Sequence, residues 1–194
     1  MNRIECLEAF ALLRKDAVVI VGPGFAGHEL AAAEHHDATL YNMEMGYAAP
    51  MCLGLALALE AAGRKVVAIE GDGSMLMALA TFTTLGRYPA KNFVLLVFDN
   101  GCYVTTGRGE VRSATASGTD LAGVARAAGL GDHALSVDDT NAFSAGLAEA
   151  LRTDGPWVIV ARVDTSDRQD TRARQHFNSD LPDQAAFFRR ALQG

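Results

Sequence analysis

The sequence has few of the features that mark secreted, membrane-spanning or nucleic-acid-binding proteins. Its 194 residues include only three cysteines, which are widely separated and form no CxxC pair, so we expect free thiols in a reducing cytoplasm. Its 17 Lys and Arg are outnumbered by 23 Asp and Glu, with no basic run. We therefore expect neither nucleic-acid nor membrane-surface binding. No apolar run approaches about 18 residues, so no membrane span is predicted.

The residues that are present predict one globular α/β domain. The composition is 49% hydrophobic and 21% charged, which allows a substantial core. Short, wholly apolar β-branched runs alternate with longer helical segments, a pattern typical of a mainly parallel sheet covered by helices on both faces. We predict a single three-layer α/β/α domain over residues 1–194. Its polar C-terminal arm, from about residue 165, either lies on a partner or is a loosely ordered terminus.

Three predicted elements lead to the possible site. Residues 65–69 and 93–98 are predicted as buried strands, and a helix over residues 74–85, closed by Gly86, connects them. Before them, residues 47–62 are apolar nearly all round and predict a helix that is buried on most sides. The two strands therefore form a strand-helix-strand unit, which places their carboxyl ends at one edge of the sheet.

Polar clusters follow both of these strands. One is Gly71-Asp72-Gly73-Ser74, the other is Asp99-Asn100-Gly101, and 25 residues lie between Gly73 and Asp99. Ligands bind at this edge of open parallel sheets, and a helix N-terminus suits phosphate. Asp72 cannot hold phosphate itself, but its carboxylate, with Asn100 and a backbone carbonyl, offers the hard oxygens that Mg²⁺ prefers. The pair predicts a Mg²⁺-diphosphate site, although each cluster alone is also common in turns.

The two clusters together resemble the GDG…N[DN] signature of thiamine-diphosphate-dependent enzymes. The resemblance is carried by GPGFAGHEL, NMEMGYAAPMCLGLALAL, GDGSMLMALATFTTLGRYPAKN and VFDNGCYVTTG, and it extends from Val21 to about Val163. It is strongest to the diphosphate-binding (beta) subunit of sulfopyruvate decarboxylase and the matching half of phosphonopyruvate decarboxylase. The expected fold is then the diphosphate-binding, PP-type domain of these enzymes.

The resemblance also implies roles for individual residues. Mg²⁺ would be held by Asp72, the side chain of Asn100 and the carbonyl of Cys102, while Asp99 replaces a common asparagine at a position that is not a ligand. Met45 would prop thiamine diphosphate in its bent form, with the Met43 carbonyl accepting from the pyrimidine amino group; without the signature, both methionines would be taken as core residues. The remaining expected cofactor contacts are Gly22, Gly71, Gly73, Ser74 and Tyr103.

The substrate contacts are less well defined by the sequence. Thr105 and Thr106 follow the metal loop where related enzymes place substrate contacts, so they are candidate catalytic residues together with Met45. The relatives have Ser-Thr-Gly-Gly-Gln here, whereas this chain has an arginine, Arg108. Arg108, like Arg172 and Arg174 in the tail, either pairs with an anionic substrate group or is a solvated charge.

Family enzymes also need a glutamate that bonds the pyrimidine N1′ of the cofactor. By resemblance it lies on a pyrimidine-binding domain, which this sequence does not show. We therefore expect a separate pyrimidine-type (alpha) subunit and a hetero-oligomer, of which α2β2 is the smallest symmetric form. The predicted activity is decarboxylation of 3-sulfopyruvate or 3-phosphonopyruvate to an aldehyde and CO₂. The alternatives are a carboligase subunit like acetolactate synthase and a non-catalytic phosphate- or nucleotide-binding module.

Overall fold

A computed structural model of the chain describes residues 1–104, 111–164 and 180–193. Within these residues, six strands form one sheet in the order β2-β1-β3-β4-β6-β5, and every pairing is parallel. The strands are β1 Val18–Val21, β2 Thr39–Leu40, β3 Val66–Gly71, β4 Phe93–Asp99, β5 Ala134–Val137 and β6 Trp157–Arg162. The predicted parallel sheet is confirmed.

Helices cover both faces of this sheet. They are α1 Arg3–Leu13, α2 Phe25–Ala33, α3 Ala48–Leu59, α4 Asp72–Met77, α5 Thr81–Arg87, α6 Leu121–Ala125, α7 Thr140–Arg152 and α8 Leu181–Gln193. Short 3₁₀ turns lie at Glu60–Ala62, Ala114–Ser117 and Gly131–His133, and a π turn lies at Arg126–Leu130.

Two apolar clusters lie on opposite faces of the sheet. In β1, Val18 and Ile20 belong to the cluster that includes α3 to α6, whereas Val19 and Val21 belong to the cluster that includes α1, α2 and α7. Successive strand side chains point to opposite faces, so a sheet that is covered on both sides needs apolar residues at every position. The three-layer α/β/α prediction is thus confirmed.

The apolar helix α3 is less enclosed than its sequence predicts. Its inner face is buried, but Met51 and Leu57 are 41% and 46% exposed, and the preceding Tyr47 is 59% exposed. The expectation of burial on most sides was therefore wrong for this face within the described residues. Gly63 ends the helical segment at φ +66°, a left-handed conformation that favours glycine.

The predicted connecting helix over residues 74–85 is two helices. The chain breaks between α4 and α5, around residues 78–80. Gly86 does not close the second helix, which runs on to Arg87. A Cβ atom at Gly86 would lie 2.0 Å from the carbonyl oxygen of Ala128, so glycine allows α5 to approach the backbone of the π turn closely.

The end of the chain packs on its own sheet. The Oε1 atom of Gln184 accepts a hydrogen bond of 3.1 Å from the backbone N–H of Tyr41, and Phe188 is buried. A guanidinium N–H of Arg64 donates to the Ala191 carbonyl at 2.7 Å. This part of the predicted arm therefore contacts the domain itself, whereas residues 165–179, with Arg172 and Arg174, lie outside the described residues.

Across the described ranges, no helix has both the length and the apolar character needed to cross a membrane.

Gly86 and Gly54 give a matched test of helix packing. We expect Gly86→Ala to destabilise the domain by about 1–3 kcal/mol, because the new methyl group meets a backbone carbonyl that cannot turn away. A Cβ atom at Gly54 in α3 would meet nothing within 4 Å beyond its own helix, so Gly54→Ala should be neutral or stabilise by up to about 1 kcal/mol. Urea unfolding of both variants measures the difference, and equal stabilities would contradict this packing.

Candidate functional site

A cleft lies at the carboxyl edge of the sheet, between the loop that follows β1 and the start of α4. The chain leaves β1 toward β2 on one side, and β3 lies on the other side of β1. Strand order reverses there, which opens a crevice at the strand ends. The cleft has a volume of about 290 Å³. It is lined by Arg3, Pro23, Gly24, Phe25, Ala26, Glu44, Met45, Glu70, Gly71, Asp72, Gly73, Ser74, Phe98, Asn100, Cys102, Tyr103 and Val104.

Asp72 begins α4 and is only 2% exposed. Its Oδ2 atom accepts a short hydrogen bond from the Ser113 hydroxyl and lies 3.2 Å from the hydroxyl oxygen of Thr115. Burial raises the pKa of Asp72, and the hydrogen bond from Ser113 opposes that rise. Asp72 is therefore a carboxylate that has lost much of its water and gains from a nearby cation.

The second polar cluster turns tightly after β4. The Asp99 carboxylate accepts from the backbone N–H of Gly101 at 3.0 Å, and the Asn100 side-chain oxygen accepts from that of Cys102 at 3.1 Å. Asn100 and Cys102 line the same cleft as Asp72, whereas Asp99 does not. The structure thus brings together the three predicted metal-binding residues and leaves out the one expected not to be a ligand.

The donor set of this cleft suits Mg²⁺. In the ranges that the structure describes, no three His, Cys, Asp or Glu side chains are grouped in a way that could hold a metal ion. The predicted set does not need such a group, since it combines one carboxylate, one amide oxygen and one backbone carbonyl. Mg²⁺ binds few protein oxygens and completes its shell with water and phosphate, so the residues fit this ion.

Tyr103 covers the glycine that was expected to face diphosphate. A Cβ atom at Gly73 would lie 2.4 Å from Cε1 of the Tyr103 ring. Glycine at this position therefore accommodates an aromatic side chain in this structure. A diphosphate that contacts Gly73 requires that ring to turn away.

Glu70 is a buried acid of the site that the sequence-based prediction missed. It is 1% exposed, and its carboxylate accepts from the Ala49 backbone N–H at 3.2 Å and from the Ser74 hydroxyl at 2.5 Å. Burial raises the pKa of Glu70 to about 7, against the effect of the Ser74 and Ala49 hydrogen bonds. A charged residue at the end of the otherwise apolar run VVAIE was the signal that could have found it.

Ser74 and Gly22 both support Glu70. The Ser74 hydroxyl donates to Glu70 and accepts from the Gly46 backbone N–H at 2.7 Å, which ties α4 to the turn before α3. Gly22 is buried at the end of β1, where a Cβ atom would lie 2.2 Å from a Glu70 carboxylate oxygen. Gly22 is not among the lining residues of the cleft. The close approach of Glu70 explains why a residue without a side chain is found at position 22. The contact of Gly22 with the cofactor remains a prediction.

The two methionines of the site lie in different places. Met45 lines the cleft, as its predicted contact with the cofactor requires. Met43 packs against the core cluster on the α3 side, and its N–H donates to the Val21 carbonyl at 2.9 Å. The roles of both remain predictions, as do those of Thr105, Thr106 and Arg108, which lie outside the described residues.

A buried ion pair at one wall of the cleft was also missed. Arg3 of α1 donates from Nε and Nη2 to the two carboxylate oxygens of Glu29 in α2, both at 2.7 Å. Their side chains are 9% and 3% exposed. This two-pronged geometry fixes the guanidinium plane at the cleft wall and joins the two helices.

The chain belongs to a family of thiamine-diphosphate enzymes. Residues 26–161 match the family model described as the thiamine pyrophosphate enzyme, C-terminal TPP binding domain. This match spans most of the chain, including both polar clusters and Met45, so the resemblance seen in the motifs is confirmed.

Two named relatives that this chain resembles are decarboxylases. It is 40% identical over 162 residues to phosphonopyruvate decarboxylase of Streptomyces viridochromogenes, a match that covers 81% of this chain and 38% of the relative. It is 31% identical over 164 residues to sulfopyruvate decarboxylase subunit beta of Methanococcus maripaludis, with 84% of each chain covered. The chain thus spans well under half of the first relative and most of the second.

A solved structure shows the same fold. Benzoylformate decarboxylase from Polynucleobacter necessarius superposes with a TM-score of 0.69 at 22% identity, over 82% of this chain and 32% of that one. At this identity the likeness concerns the fold alone. It places the present domain within a known α/β architecture.

Breaking the Arg3–Glu29 pair should be costly. We expect Glu29→Gln to destabilise the domain by about 3–5 kcal/mol, because the substitution removes one charge of a buried, doubly hydrogen-bonded ion pair. Asp154→Asn is the control, since its pair with Lys91 is exposed, at 76% and 63%, and should contribute at most about 1 kcal/mol. Thermal and urea unfolding compare the two variants; a Glu29→Gln protein as stable as the control would contradict the buried-pair interpretation.

Proposed function

We propose that this chain is the beta-type, diphosphate-binding subunit of a thiamine-diphosphate- and Mg²⁺-dependent decarboxylase. Its substrate is a small anionic 2-oxo acid, 3-sulfopyruvate or 3-phosphonopyruvate, and the products are the aldehyde and CO₂. The observation that carries this proposal is that Asp72 and Asn100, from loops after neighbouring strands, line one cleft in a domain of this family. The names of the two relatives support the substrate class.

The metal ion would be held by three groups of this chain. They are the carboxylate of Asp72, the amide oxygen of Asn100 and the backbone carbonyl of Cys102. When bound, the ion would supply positive charge to diphosphate and to the Asp72 carboxylate, which is buried at the start of α4. The backbone N–H groups at the start of the same helix, at Gly73 and Ser74, carry partial positive charge and would support phosphate binding once the Tyr103 ring turns away.

The cofactor, when bound, supplies an electron sink for the loss of CO₂. This chain would position the cofactor and surround it with an apolar wall. Met45 offers an apolar surface in the cleft, where it would prop the bent cofactor, and Phe25 and Phe98 add apolar lining. Such a wall excludes water from the reacting groups and strengthens the electrostatic interactions within the cleft.

A separate alpha-type subunit would complete the active site. Within the described part of the cleft wall, the two glutamates are Glu44 and Glu70. Glu70 is already bonded to Ser74 and Ala49 beneath the cleft, so it is occupied in a structural role. By the family resemblance, the N1′ glutamate would come from the partner, in a hetero-oligomer such as α2β2. The name "subunit beta" of the Methanococcus relative supports this arrangement.

Replacing the central metal ligand tests the proposal. We expect Asp72→Asn to weaken Mg²⁺-dependent binding of thiamine diphosphate at least about tenfold, a loss of about 1.4 kcal/mol, because a neutral amide replaces the charged ligand. Calorimetry of the full chain, alone and with its co-purified partner, measures the affinity. Asp132→Asn is the matched control, since Asp132 is exposed and does not line the cleft.

Product analysis separates the decarboxylase from its rivals. The reconstituted complex should release the aldehyde and CO₂ from 3-sulfopyruvate or 3-phosphonopyruvate, and the chain alone should not. A hydroxyketone product would instead indicate a carboligase. Unchanged cofactor binding by Asp72→Asn would favour a phosphate-binding module of another kind, and robust turnover by the isolated chain would contradict the shared active site.

A further inference from the structure

Two hydroxyl groups connect the aspartates at the ends of β3 and β4. The Ser113 hydroxyl donates to Oδ2 of Asp72, and Oγ1 of Thr115 lies 2.6 Å from Oδ1 of Asp99 and 3.2 Å from Oδ2 of Asp72. The two hydroxyl oxygens lie 2.8 Å apart. Four polar side chains from three separate stretches of sequence thus form one cluster, which we name the hydroxyl bridge.

The backbone fixes the hydroxyl bridge independently of any ligand. The segment that carries it returns alongside the metal loop, where the Ser113 N–H donates to the Gly101 carbonyl at 3.0 Å and the Tyr103 N–H donates to the Val111 carbonyl at 2.8 Å. Thr115 lies in the 3₁₀ turn Ala114–Ser117. Ser113 itself is 3% exposed, so its hydroxyl is held in a largely dry environment.

The two hydroxyl groups of the bridge have two hydrogens to share between the two carboxylates. Each hydroxyl has one hydrogen to donate. The shorter contacts assign the hydrogen of Ser113 to Asp72 and that of Thr115 to Asp99. Each carboxylate therefore receives a donor, and the two like charges are held beside each other with hydroxyl groups between them. Removing the Ser113 hydroxyl takes this donor away from Asp72, whereas removing the Thr115 hydroxyl leaves Asp99 with the Gly101 N–H and breaks the connection between the two carboxylates.

We propose that Ser113 and Thr115 are positioning residues for the metal ligand Asp72. The bridge holds Oδ2 on the protein side, and the other carboxylate oxygen, Oδ1, is then the one presented to a divalent cation. This inference rests on the proposed function, because it assigns to these residues the orientation of a ligand whose metal role is part of that function. Hydrogen bonds that orient ligating carboxylates typically affect metal affinity about 10–100-fold.

The test compares Thr115→Val with Thr115→Ser. Valine keeps the shape of the side chain and removes the hydroxyl, whereas serine keeps the hydroxyl. With thiamine diphosphate saturating, we expect Thr115→Val to raise the Kd for Mn²⁺, followed by electron paramagnetic resonance, about 10–100-fold. Thr115→Ser should restore a value close to that of the parent, and the exposed Ser117→Ala should match the parent throughout.

A second variant protects the test against simple loss of folding. Ser113→Ala removes the donor nearest to Asp72 and should weaken Mn²⁺ binding at least as much as Thr115→Val does. Circular dichroism and unfolding curves select the variants that fold. Normal Mn²⁺ affinity in folded Thr115→Val and Ser113→Ala would overturn the positioning role, and so would a Thr115→Ser protein that is as impaired as Thr115→Val.

The parent protein separates this inference from the proposed function. If the parent binds Mn²⁺ and thiamine diphosphate while the hydroxyl variants bind them equally well, the positioning role fails and the metal site stands. If the parent binds neither, with or without its partner, the proposed function itself fails and the bridge has no metal ligand to position.

Discussion

The parallel register between β3 and β4 is the constraint on which the site depends. Gly71 pairs with Phe98, so the next residues, Asp72 at the start of α4 and Asp99 at the end of β4, lie beside each other at the sheet edge. Both strands are apolar over most of their length and are buried on both faces, as a sheet between two helical layers requires. This strand pairing brings both polar clusters to the same edge of the sheet.

That register also creates an electrostatic problem at the sheet edge. Asp72 is buried, which raises its pKa, and the adjacent Asp99 raises it further, while Glu70 lies beneath them with its own pKa raised by burial. Hydroxyl groups and backbone N–H groups offset part of this cost. A divalent cation would offset much more. The arrangement is therefore understandable as an anionic site that is completed by a metal ion and by the diphosphate that the ion binds.

Local sequence patterns were sufficient to predict the sheet, its layers and the two clusters at its edge. The strands were recognisable because they are apolar at nearly every position, and Asp72 and Asn100 because glycines and strand ends flank them. The break between α4 and α5 was not recognisable, since the sequence stays apolar through it. Gly86 was taken for a helix stop because its actual contact, Ala128, lies far along the chain.

The residues of the site that sequence analysis missed were missed for the same reason: their partners are distant in the sequence. Glu29, Ser113 and Thr115 act through partners 16 to 43 residues away, and no spacing rule in one sequence reveals such pairs. Glu70 carried a signal, as an acid within an apolar strand, but its role depends on Ser74 and on a backbone N–H from α3. Local sequence patterns thus located the candidate ligands Asp72 and Asn100. The residues that support them are recognisable only from contacts in the folded structure.

The central claim is that two loops at neighbouring strand ends hold one divalent cation. The most direct measurement is a crystal structure of the complex grown with Mn²⁺ and thiamine diphosphate, with the ion located by its anomalous scattering. We expect a single ion, coordinated jointly by the Asp72 carboxylate and the Asn100 amide oxygen and by the diphosphate. Bound cofactor with these two side chains directed to different places, and no ion between them, would contradict it.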